Sequence, residues 1–346
     1  MKTTPSQFAS LLAAAAALPF APTAAAADAG SLNIICGVQI EWCNLAQTTF
    51  SRSTGIKVNL VAKGGGEALA QISAESANPK TDIWFGGTGD PHLQAAEKNL
   101  TLAYQSPNIN LLRDWAISQA RQSGYKTVGL YSGPLGIAYN TELLAKKKLA
   151  APACWSDLIL PQYRGEVQMA NPNSSGTAYM AIATLVQIKG EDKAFEYLKA
   201  LHKNIGQYPR SGAGPLKNVS HGESTIAIGW IHDVPGEVMQ GFPVKSAAPC
   251  EGTGYEVGSM SIIKGARNLA NAKKFYDWAL TAPAQELGLA AKQFQLPSNY
   301  AAKVDARVPD VTRIKLINYN FEKYGKAAER KRLLERWEKE VNGSSN

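Results

Sequence analysis

Between residues 31 and 97 the chain repeats one pattern three times: a short apolar run, a glycine-containing or polar turn, then a helical stretch. SLNIICGV leads into a helix from Trp42 to Ser53 that stops at Gly55. KVNLVA runs into Gly64-Gly65-Gly66 and the helix EALAQISAESA. TDIWFGG is followed by Thr88, then by Asp90 as a candidate N-cap with Pro91 at the first helical position. Strands separated by helices cannot pair as tight hairpins; each connection must cross a sheet face, which gives a parallel sheet covered by helices. Ligands of such sheets bind beyond the carboxyl ends of the strands. All three turns are expected at that edge.

KTVGLYSGPLGIAYN is a further strand, interrupted at Gly133-Pro134, where a first crossing to a second lobe is expected. A second series follows: GEVQMANPNSSGTAYMAIATLVQ, the helix EDKAFEYLKALHKN, and STIAIGWIHD. GSMSIIKGARN supplies the return crossing. The remainder is helical and ends in an amphipathic helix whose Leu333, Leu334, Trp337 and Val341 share one stripe. The expected fold is α/β: residues 28–133 with 259–346 form a discontinuous first lobe, and residues 134–258 form the second. Each lobe is a mostly parallel sheet flanked by helices, and two crossover strands join them. Such lobes can hinge around a ligand.

Met1 to Ala27 carries one cation, Lys2, then an alanine-rich apolar run with an Ala-x-Ala exit. This is a secretory leader cleaved near Ala27, too short to span a membrane. The remaining chain of about 320 residues exceeds what one core usually serves. The full sequence has a formal charge of +8, which becomes +7 without Lys2, and the cations are interleaved with acids, as in ERKRLLERWEKE. No basic stripe for nucleic acid results. Four cysteines in an exported chain suggest two disulfides, expected as Cys36–Cys43 and Cys154–Cys250. No Cys-x-x-Cys or Cys-His cluster points to a metal or cofactor.

The functional signal lies between Gln168 and Met260. Asn173-Ser174-Ser175-Gly176-Thr177 precedes an apolar helix, so its hydroxyls and unpaired amides can cap the helix or hold an anion. Ordinary capping explains that turn alone; a second pair, Ser211-Gly212 beside Arg210, favours convergence on one phosphate. The triple glycine at 64–66 lacks the Lys-Ser/Thr of a P-loop but permits close backbone approach. His232 and Asp233 end a strand, and Glu256 lies in TGYEVG. They fit hydrogen bonding to sugar hydroxyls better than catalysis, which would need a nucleophile or positioned water and a second base. His92, His202 and His221 fit surface or capping roles. Carboxylates beside an anion pocket imply a bipolar ligand, because like charges repel strongly in a cleft.

Taken together, DIWFGGTGDPH, GEVQMANPNSSGTAY, IHD and PCEGTGYE resemble the periplasmic solute-binding proteins of ABC importers, of the ferric-iron-binding-like type II group, and most of all the branch that binds hexose phosphates. The resemblance implies a monomeric two-lobed protein that closes on its solute in the periplasm and delivers it to an inner-membrane permease. It implies sugar contacts from His232, Asp233 and Glu256, an anion site at Ser175, Gly176, Thr177, Ser211 and Gly212, and further ligand contacts at Gln39, Gly65 and Thr88. The chain departs from that branch with glycine at Gly65 in place of a serine, and with Ala213-Gly214 in place of bulkier or hydroxylated residues. Iron-binding members use adjacent tyrosines; none of the 13 tyrosines here adjoins another, leaving Tyr255 as a lone candidate for Fe(III). The competing readings are a ferric carrier, a partner of a membrane sensor, and a phosphatase.

Overall fold

The computed structural model describes residues 1–2 and 30–344. The expected leader, residues 1–27, lies outside the described residues except for Met1 and Lys2.

The first repeats fold as the alternation requires. β1 (Ser31–Cys36), α1 (Ile40–Thr54), β2 (Lys57–Ala62), α2 (Gly65–Ala74), β3 (Ile83–Phe85) and α3 (Gly89–Glu97) follow in order, and β1 pairs in parallel with both β2 and β3. α1 ends at Gly55, whose φ of 75° places it in the left-handed region and whose N–H donates to the Ser51 carbonyl. Two local expectations are corrected. Gly65 and Gly66 are the first turn of α2 rather than a loop before it, with Gly64 as N-cap. Thr88, not Asp90, is the N-cap of α3, and Asp90 sits buried inside its first turn. The glycines serve approach rather than turning: a Cβ at Gly66 would lie 2.2 Å from the Asn173 carbonyl oxygen, and one at Gly64 would lie 2.6 Å from that of Ser174.

Next come α4 (Asp114–Gln122), β4 (Val128–Asn140), α5 (Thr141–Lys147), β5 (Val167–Gln168), α6 (Gly176–Lys189) and α7 (Glu191–His202). β6 (Ile205–Gln207), α8 (Gly214–Ser220), β7 (Ile226–Trp230), α9 (Val234–Val238), β8 (Val244–Ala247) and β9 (Tyr255–Ile262) follow. The chain closes with α10 (Leu269–Ala279), α11 (Ala282–Ala290), β10 (Leu296–Pro297), α12 (Phe321–Tyr324) and α13 (Ala327–Glu340). The strand order is β2-β1-β3-β9-β4-β7-β5-β6, with β8 and β10 also pairing with β4.

β4 is one continuous strand of 13 residues, not interrupted at Gly133-Pro134. Its partner changes there instead. Val128 to Pro134 pair antiparallel with β9, and Leu135 to Tyr139 pair antiparallel with β7. Proline has no N–H to donate, so a change of ladder at Pro134 forfeits little. The parallel triplets β2-β1-β3 and β6-β5-β7 form the two lobes, and β4 and β9 run between them as crossovers.

Ile34, Phe50, Phe85 and Phe275 belong to one large buried cluster; Trp155, Tyr179, Phe195 and Leu198 belong to another. The stripe of α13 is buried as expected, but on the second cluster: Leu333, Trp337 and Val341 pack there with Tyr319 and Tyr324. The chain therefore crosses a third time, where Thr253 N–H donates to Lys315 O and Ile317 N–H donates to Thr253 O, both at 2.9 Å. The final part of 259–346 thus leaves the first lobe, contrary to the two-crossing expectation. An amphipathic stripe shows that a helix packs, not which core receives it.

His92, expected at the surface or in a cap, is wholly buried. It stacks on Trp84 at 3.7 Å and bonds to Ser261 Oγ at 2.8 Å and Gly86 O at 3.1 Å. The disulfides are Cys36–Cys43, joining β1 to α1, and Cys154–Cys250, separated by 96 residues. No helix among the described residues is long and apolar enough to cross a membrane.

Candidate ligand-binding cleft

A cavity of about 310 Å³ lies between the lobes, and every position singled out as a ligand contact lines it. Gln39, Gly65 and Thr88 stand at the starts of α1, α2 and α3, just beyond the carboxyl ends of three parallel strands. Ser175, Gly176 and Thr177 open α6, and Ser211 and Gly212 precede α8. His232 and Asp233 lie in a 3-10 turn directly after β7, and Glu256 lies on the crossover β9.

One end of this cavity is built from helix starts. Ser175 caps α6, its Oγ accepting from Ala178 N–H at 3.3 Å. The amides of Gly176 and Thr177, in the same first turn, have no acceptor among the described residues. Such groups carry the positive end of the helix dipole. The lobes meet tightly here. A Cβ on Gly176 would fall 1.9 Å from Thr88 Oγ1 of the facing lobe; within the second lobe, one on Gly212 would fall 2.3 Å from Thr177 Oγ1. The hydroxyl of Thr88 is buried without a hydrogen-bond partner among the described residues. Lys63 and Arg210 add cations to the lining, and Arg210 pairs with Glu67 across the cleft. Backbone amides, hydroxyls and cations converging in this way are groups that can hold an anion.

The other residues form an acidic and imidazole end. Gln39 Nε2 donates to Asp233 Oδ1 at 2.6 Å, and Gln295 Nε2 donates to Gln39 Oε1 at 3.5 Å. His232 Nε2 lies 3.5 Å from both Asp233 Oδ1 and Glu256 Oε1. The ring is fully buried over Gly133, where a Cβ would stand 1.8 Å from Nδ1. Burial pushes His232 down to about 3, so the imidazole is neutral and the two contacts are not ion pairs. Burial, reinforced by the charge of Glu237, pushes Asp233 up to about 7. Glu256 is pushed well above the usual carboxyl range by burial and by the charges of Asp233 and Asp90. A neutral imidazole beside two carboxyls that burial disposes to keep their protons offers both donors and acceptors, as sugar hydroxyls require. Trp230, nearly parallel to His232 at 5.7 Å, adds an apolar wall.

Lys63, Tyr131, Lys217, Trp230 and Gln295 also line the cavity and were not singled out from the sequence. Lys63 and Trp230 adjoin motifs that were, so adjacency could have found them. Tyr131, on β4, whose hydroxyl accepts from Gly87 N–H at 2.9 Å, and Gln295, just before β10, arrive from distant parts of the chain without a local signal.

Residues 78–323 match the family of bacterial extracellular solute-binding proteins. The periplasmic binding protein AfuA from Actinobacillus pleuropneumoniae, solved with exogenous fructose-6-phosphate bound, is 46% identical, with 90% of this chain and 99% of that chain covered and a TM-score of 0.88. The periplasmic binding protein P5PA is 40% identical, with 90% and 99% covered and a TM-score of 0.87. An uncharacterised protein of Haemophilus influenzae is 44% identical over 316 residues, 90% of this chain and 91% of that protein. The fold is that of the type II periplasmic binding proteins, and the present chain belongs to the family of bacterial extracellular solute-binding proteins.

Proposed function

We propose that the protein is the periplasmic receptor of an ABC importer and captures a phosphorylated sugar, a hexose phosphate or a related organophosphate, by closing its two lobes. The carrying observation is that the acceptor-free amides of Gly176 and Thr177 share one cavity with His232, Asp233 and Glu256. The amides, with Thr88, Ser211, Gly212 and the first turn of α2 at Gly65, receive the phosphate. The imidazole and carboxyls, with Gln39, receive hydroxyls. The similarity to AfuA with its bound fructose-6-phosphate supports the reading. The closed ligand complex then docks on an inner-membrane permease.

Ferric iron fits this cavity less well. Fe(III) calls for hard phenolate ligands, yet Tyr255 is not among the lining residues. Tyr131 does line it, but burial and the charge of Glu256 hold its phenol well above the ordinary range, against ionisation.

Native mass spectrometry of protein isolated from its own periplasm tests the assignment. A mass increment equal to a sugar phosphate is expected; iron, or a phosphorus-free solute, would refute it.

A further inference from the structure

The interlobe space does not end at Asp233. A second cavity of about 450 Å³ opens between the same lobes, larger than the 310 Å³ of the first. Gln39, Ala213, Lys217 and Asp233 line both. They form the partition, and its central element is the Gln39–Asp233 hydrogen bond. Ala213 contributes only a methyl group to it, so the boundary is thin where the loop carrying Gly212 enters α8.

The chemistry beyond the partition differs from that of the anion end. Leu45, Leu216 and Phe242 give apolar surface, with the Phe242 ring 4.8 Å from His221. Glu41, Glu237 and Gln240 give hydrogen-bonding groups around it. Charges of both signs are present, Lys217 and Lys292 against the two glutamates, so the chamber has no strong preference for an anion. An aromatic and aliphatic surface bordered by carboxylates and amides suits a sugar ring, whose C–H face packs on carbon while its rim of hydroxyls finds partners.

Resting on the proposed function, we infer that the second chamber is a glycosyl subsite, and that the ligand class extends to phosphorylated disaccharides. The phosphate and first ring occupy the inner cavity. The second ring, joined to the first at a carbon other than the one bearing the phosphate ester, lies beyond Gln39 and Asp233. A glycosidic link at C1 of a 6-phosphorylated hexose meets that requirement, because C1 and the phosphate-bearing C6 are separated by the ring oxygen and C5, so the two substituents diverge from different ring carbons.

Calorimetric titration with glucose 6-phosphate, trehalose 6-phosphate and trehalose tests this on the native protein and on two variants, Ala290→Trp and Gln240→Trp. Both positions are exposed, line the second cavity but not the first, and come from opposite lobes, so a folding failure in one leaves the other usable. Trehalose 6-phosphate should bind the native protein within ~10-fold of glucose 6-phosphate, and each folded variant should lose ~10-fold or more for the disaccharide phosphate alone. Glucose 6-phosphate binding without trehalose 6-phosphate binding, or disaccharide binding indifferent to both tryptophans, overturns the inference while sparing the proposed function. If neither ester binds, both fall.

Discussion

Gln39 Nε2 and Asp233 Oδ1 are 2.6 Å apart although one side chain belongs to each lobe. Their bond exists only when the cleft is shut, so it contributes to closure rather than to the stability of either lobe. Gln39→Leu should leave the melting temperature nearly unchanged and weaken ligand binding by about 10–100-fold, the worth of a hydrogen bond to a charged group. Calorimetry paired with thermal melting checks this. A variant with native affinity would show that the bond does not help hold the lobes together.

Gly176 is a stricter test of closure. α6 itself would accept alanine, a better helix former than glycine, but the new Cβ would stand 1.9 Å from Thr88 Oγ1 in the opposite lobe. Gly176→Ala should fold normally and fail to shut. Small-angle scattering should report no compaction on adding ligand, and affinity should fall by roughly 100-fold or more. Full compaction would contradict the packing described here.

The pH dependence of stability isolates Asp233. Its carboxyl is pushed from 3.8 to about 7 by burial, with the charge of Glu237 adding to the shift. A group that holds its proton more tightly folded than unfolded stabilises fully below its unfolded pKa, and that stabilisation is lost as pH rises through the folded value. His232, pushed down from 6.5 to about 3, acts in the opposite sense, its stabilisation being lost as pH falls below 6.5. Asp233→Asn removes the first effect and leaves that of His232 in place. Denaturant titrations should therefore show the variant gaining on the native protein between pH 4 and 7, by on the order of 2–4 kcal/mol, and no further above that. A constant difference across the range would show that the carboxyl is not shifted.

The two disulfides should differ in worth. Cys154–Cys250 closes a separation of 96 residues and Cys36–Cys43 one of 7. Loop entropy gives about 4–5 kcal/mol for the longer and about 2 kcal/mol for the shorter. Replacing Cys154 and Cys250 together by serine should lower the melting temperature more than replacing Cys36 and Cys43. The reverse order would show that the short bridge, at the mouth of the cleft, carries more than loop entropy.

Much of this architecture was legible in the chain because its signals are local. The strand-turn-helix repeats from Ser31 to Glu97 dictated parallel pairing, and Pro134 marked the change of ladder in β4. The hydroxyl and glycine turns at 174–177 and 211–212, with His232 and Asp233 at a strand end, fall in one cavity because carboxyl ends of strands share an edge. What escaped depends on which surfaces meet. Leu333 and Trp337 announced a packed helix, but only the fold shows that they complete the second core and require a third crossing. Gly64 and Gly66 read as a loop, yet they are glycine because Asn173 and Ser174 of the other lobe press against α2. Tyr131 on β4 and Gln295 just before β10 come from segments whose sequences give no hint of the cleft.

The central claim is that amides from facing helix starts grip a phosphate while His232, Asp233 and Glu256 bind the hydroxylated remainder. Competitive calorimetry with glucose 6-phosphate, glucose and inorganic phosphate measures both halves at once. Glucose 6-phosphate should bind at least ~100-fold more tightly than either fragment. Equal or tighter binding of glucose, with no contribution from the phosphate, would contradict the account.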